Sequence, residues 1–139
     1  MKTYFFAATI LALSLPQLVQ AAIPPQPQRC PTAAAIQAVG VSRNMIQDND
    51  GLWVTGRRNQ KYGTTDDWTF LIGKFPATTA NQAYTKAVTA MTTLNFQMGP
   101  LNGPLSKWIC WYSTAEGYTA TAINPPITSN VEPGVFLKK

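Results

Sequence analysis

Residues 48–75, DNDGLWVTGRRNQKYGTTDDWTFLIGKF, decide how this chain folds. Asp48-Asn49-Asp50-Gly51 is its strongest hairpin signal, because Asn/Asp-Gly pairs tolerate the positive φ of a tight turn. The turn predicts a strand before it, at 41–47, and a second after it, from Leu52 to Arg58. Gln60 to Thr65 reads as another turn and leads into a third strand from Trp68 to Phe75. Connections this short favour an antiparallel meander. The same acidic turn superficially matches a calcium-binding loop. Aligning Gly51 with the loop's sixth position, however, puts Ile46 at the first oxygen ligand and Arg57 at the bidentate acid, both wrong for a hard cation.

Working outward, Thr32 to Gly40 reads as a short helix entered through Pro31 and stopped at Gly40. Downstream, Pro76 ends the third strand, and Thr78 or Thr79 caps a helix running to about Leu94. Its Ala83, Tyr84, Ala87, Val88 and Met91 fall on one face of a 3.6-residue period. Asn95 to Pro104, with Gly99-Pro100 and Gly103-Pro104, reads as a loop. Lys107 to Thr114 and Gly117 to Ile123 read as two more strands. The order α-β-β-β-α-β-β predicts an α+β fold: a single domain over 30–123, with an antiparallel sheet of about five strands and two helices on one face. Residues 22–29, rich in proline, should be an extended lead-in. The proline-containing tail, 124–139, should either lie extended across the domain or stay mobile.

The first 21 residues read as a cleavable signal peptide. Lys2 is followed by the apolar run Tyr4–Leu15, then Pro16, and Val19-Gln20-Ala21 is a peptidase site. Twelve apolar residues at ~1.5 Å each fall well short of a ~30 Å hydrocarbon core, so a membrane anchor is not expected, and no later window is apolar enough for a span after signal removal. No cysteine directly follows Ala21, so no lipid anchor is expected, and the product should be periplasmic or secreted. About 118 residues then remain, with ten Lys/Arg against six Asp/Glu. Those charges are scattered except at Arg57-Arg58-Lys61, and a nucleic-acid partner is not expected. In an oxidising compartment the two cysteines, Cys30 and Cys110, predict one disulfide closing a loop of about 80 residues.

The chain contains no histidine. That removes the commonest general base, the usual nucleophile triads and most catalytic zinc sites. Asp66 and Asp67 are adjacent and would point to opposite faces of a strand. No phosphate-binding glycine loop is present. The expectation is a binding protein, not an enzyme.

Alternation along Lys107–Thr114 puts Trp108, Cys110 and Tyr112 on one face and Ile109 and Trp111 on the other. In Leu52–Arg58, Leu52 and Val54 share one face while Trp53, Thr55 and Arg57 share the other. A sheet with one helical layer needs one apolar face, yet Trp53 and Trp111 suggest a second. Either the proline-rich ends cover that face, or it is an exposed aromatic patch for a flat ligand or a protein.

Cys30-Pro31 opening an Ala-rich helix that ends Val39-Gly40, then the Trp-rich strand with Cys110, resembles a family of small secreted proteins from legionella-type bacteria. That family is of unknown function, and some of its members are labelled hemin-binding. The resemblance implies hemin as ligand and heme as cofactor. Without histidine, heme iron would need Tyr, Met or Cys, and a disulfide would consume the Cys30 thiolate. Tyr62, in a turn beside Arg57 and Arg58 for the propionates, is the expected ligand, with Trp53 and Trp111 as aromatic surface. The alternative expectation is a disulfide-stapled module that binds an extracytoplasmic protein.

Overall fold

The computed structural model describes residues 23–128 and 130–137. The expected signal peptide, residues 1–21, lies outside them. Two helices, α1 (Ala33–Val39) and α2 (Ala80–Met91), accompany six strands: β1 (Ile46–Gln47), β2 (Trp53–Gln60), β3 (Trp68–Phe75), β4 (Asn95–Asn102), β5 (Trp108–Ser113) and β6 (Thr119–Asn124). They form one antiparallel sheet in the order β1-β2-β3-β6-β5-β4. The α+β class is as expected, with one strand more.

Local chemistry accounts for the element ends. Thr32 caps α1 through its hydroxyl, and Gly40 ends it at φ 75°. Thr79 accepts from Gln82 N, while Gln82 Oε1 accepts from Thr78 N and Oγ1, a reciprocal cap that starts α2. The helix stops at Met91, short of Leu94, because the Thr92 and Thr93 hydroxyls donate back to the carbonyls of Thr89 and Ala90. In the 48–51 turn, Gly51 takes the positive φ (78°) that its position demands. Gly56 permits β2 and β3 to close, since a Cβ there would fall 1.8 Å from Phe70 O.

Two expectations need correction. The strand expected over 41–47 shrinks to two residues. Thr55 Oγ1 donates to Ser42 O (2.6 Å) and reaches Asn44 O (3.3 Å), so side-chain bonds replace a regular ladder there. The loop expected over 95–104 is mostly strand β4. It lies at the sheet edge, where Pro100 is tolerated because an edge strand need not donate every amide, and bulges absorb the irregular register around Met98.

Each face of the sheet is covered by a different layer. Trp68, Phe70, Ile72 and Tyr112 pack under the helices with Ile36, Ala83 and Ala87. On the opposite face, Val54, Leu71, Ile109 and Ile123 pack against Ile127, Phe136 and Leu137 of the tail. The tail therefore lies across the domain, fastened by Ile127 N donating to Thr69 Oγ1 and Lys107 Nζ to Pro126 O. The lead-in runs over the helical side instead: Trp108 Nε1 donates to Pro24 O, Tyr112 Oη donates to Pro31 O, and Cys30 is bonded to Cys110. Only one of the two proline-rich ends thus covers the second face.

The hairpin turn is also an electrostatic knot. Burial pushes the Asp48 carboxyl up, but the Leu52 and Asp50 amides (both 2.9 Å) and the Lys74 ammonium (3.1 Å) outweigh it and hold its pKa below the usual value. A carboxylate lowered in the folded state adds stability above its unfolded pKa of about 3.9, and loses it as pH falls through the folded value. The urea midpoint is therefore expected to be flat near neutrality and to drop below about pH 4. Asp48→Asn should flatten that acid limb while lowering the neutral plateau. An identical acid limb in the variant would contradict this role.

Candidate functional site

The five residues expected to bind ligand do not converge. Tyr62 lies in the core at 6 % exposure, edge-on to Phe70 with ring centroids 6.5 Å apart. Burial pushes its phenol pKa up, against the opposing pull of Arg57, so it offers no tyrosinate at neutral pH. Among the described residues its buried hydroxyl has no hydrogen-bond partner. Trp53 packs with the helix-side cluster and donates Nε1 to Ala77 O at 2.9 Å, whereas Trp111 packs with the tail-side cluster. The two tryptophans are therefore on opposite faces and form no joint patch.

Alternation tells which residues of one strand share a face, but not which face of the neighbour they join. The register pairs Thr55 with Ile72 and Arg57 with Phe70, aligning the Trp53 face with the helices. Arg57 and Arg58 are exposed, as expected of a basic cluster. The Cys30 sulfur is committed to Cys110 (Cα–Cα 5.8 Å). The residues expected around a heme thus do not assemble into one site. Among the described residues, no group of three or more His, Cys, Asp or Glu side chains could hold a metal ion.

Trp111 does belong to an apolar surface, but with partners that the sequence reading placed in a loop. On β4, Met98 pairs with Trp111 and Leu101 with Ile109, which places them on the tail side. Met98 is 51 % exposed and Leu101 nearly as much. Leu105, in the 3-10 turn that follows, is 61 % exposed. Gly103 lets this turn close down on Ile109, whose Cγ1 lies 2.1 Å from where a Cβ would be. On the other side of the strand, Phe96 is also exposed, its ring edge-on to Tyr112 at 5.6 Å.

Among the described residues β4 is the last strand of the sheet, and one side of its backbone has no strand partner. No charged residue occurs between Lys86 and Lys107. Edge strands are commonly guarded by lysine and other charges. Here no charge guards the edge, which Pro100 and the bulges interrupt. Gln26 Nε2 touches the carbonyl of Pro100 (3.1 Å), but the lead-in does not continue as a strand beside it.

No family model, curated protein or solved structure matches this chain. What the surface does must therefore be argued from its own chemistry. The signal for β4 was present in the sequence, since Phe96 and Met98 alternate and the flanks are charge-free, but two Gly-Pro pairs masked it.

Proposed function

We propose that this chain is a disulfide-stapled, exported, non-enzymatic binding module that captures an extended segment of an extracytoplasmic protein along β4. The observation that carries this reading is the conjunction of an open edge, an uncharged stretch and exposed Phe96, Met98 and Leu101 on one eight-residue strand. A strand added to such an edge gains main-chain hydrogen bonds, and side-chain alternation selects its sequence. The partner fitting it is an apolar, weakly charged strand, because a charged one would bury unpaired charge against Met98 and Leu101. The Cys30–Cys110 disulfide fits an oxidising compartment and therefore export.

Selection of a random peptide library against the purified protein tests this reading. Enriched peptides should show alternating apolar residues, and Met98→Lys and Leu101→Lys should each weaken their binding by about tenfold or more. Arg57→Ala, on the far side of the sheet, should leave it unchanged. Peptides that bind the lysine variants as well as the parent protein would sink the β4 assignment.

A further inference from the structure

A concavity lies between the C-terminal ends of α1 and α2. It encloses about 460 Å³ and is lined by Val39, Tyr84, Val88, Met91, Gln37 and Arg57, among others. It exists because the apolar stripe of α2 is wider than its contact with the sheet. Ala83, Ala87, Ala90 and Met91 are buried, but Tyr84 is only half-buried and Val88 is 44 % exposed. Val39 on α1 is likewise left partly uncovered. Gln37 Nε2 donates to Met91 O at 2.8 Å and ties the two helix ends together beneath the opening.

The charge at this groove has one sign. Arg57 lines it, and among the described residues its guanidinium has no carboxylate partner. Arg43 lies over the Tyr84 ring, 4.9 Å from its centroid, behind the aromatic wall. No Asp or Glu lines the groove. An apolar floor with one unpaired guanidinium at the rim matches an amphiphile with a single anionic head.

We propose that this groove binds an aliphatic carboxylate, its chain lying along Val39, Val88 and Met91 and its head paired with Arg57. The site is separate from β4, so it stands or falls independently of peptide capture. A planar carboxylate fork suits bidentate pairing with a guanidinium better than an alcohol does, and a cationic head would be repelled by Arg57 and Arg43.

Calorimetric titration of the purified protein with dodecanoate, dodecanol and dodecyltrimethylammonium, all below micelle formation, tests the proposal. Saturable binding of dodecanoate alone is expected. Arg57→Gln should weaken it by about tenfold or more, and Val88→Glu, at a partly exposed helix position, should abolish it. The unfolding midpoint of each variant, measured alongside, should stay near that of the parent protein. Equal binding of the alcohol, undiminished binding in folded Arg57→Gln, or no dodecanoate binding at all would overturn it. So would saturable hemin binding at Arg57 without dodecanoate binding, since the occupant would then be a flat dianion.

Discussion

Reducing the Cys30–Cys110 disulfide is expected to destabilise the protein by up to ~4.5 kcal/mol, the chain-entropy value for a cross-link that closes a loop of this length. The sulfurs join residues 80 apart in sequence and sit against the helix-side core, where Cys110 has no solvent exposure. The bond also holds the lead-in that carries Pro24 and Pro31 onto Trp108 and Tyr112. Chemical denaturation with and without reductant measures the effect. The midpoint should fall substantially and the slope should rise, because the unfolded chain freed of its 80-residue loop expands and exposes more surface. An unchanged midpoint would mean that the folded domain does not depend on the cross-link.

Phe136→Ala should be nearly as costly, at roughly 3–5 kcal/mol. Phe136 is almost fully buried in the cluster formed by Val54, Leu71, Ile109 and Ile123. Those four side chains project from the sheet face opposite α1 and α2, and the tail, through its 3-10 turn Pro133–Phe136, is what removes them from water. Truncating the ring leaves a cavity on β3, whose residues are buried on both faces apart from Lys74. Leu105→Ser is the control: at its exposed position the change should stay within about 0.5 kcal/mol. Equal losses for the two variants would contradict the tail's role as a layer of the core. Loss of tail packing should also shift the emission of Trp111, which packs against the same cluster.

The parts of the fold legible beforehand were those governed by local chemistry. The Asp48–Gly51 turn, strand β3 from Trp68 to Phe75 and the caps of both helices follow from nearest-neighbour rules, and the Cys30–Cys110 pair from there being two cysteines. Long-range register was not legible. It decides that Trp53 faces the helices while Trp111 faces the tail, and it carries β4 through Gly99-Pro100, where local rules indicate a loop. Tyr62 shows the same limit: its turn position suggested exposure, yet its backbone (φ 47°) turns the ring inward against Phe70. Arg57, expected on a second face with Trp53 and Trp111, is exposed on the helix side instead. Its neighbours at the groove, Tyr84 and Val88, were read as core because periodicity shows the apolar stripe and not how much of it the sheet covers.

Peptide capture along β4 predicts an observable at single-residue level. A peptide recovered by selection, added in saturating amount, should slow amide hydrogen exchange within Asn95–Asn102 and leave the opposite edge, around Arg57–Gln60, unchanged. The slowing should vanish in Leu101→Lys. Protection that appears at the Arg57 edge or along the helices, with β4 exchanging as fast as before, would contradict β4 as the docking strand.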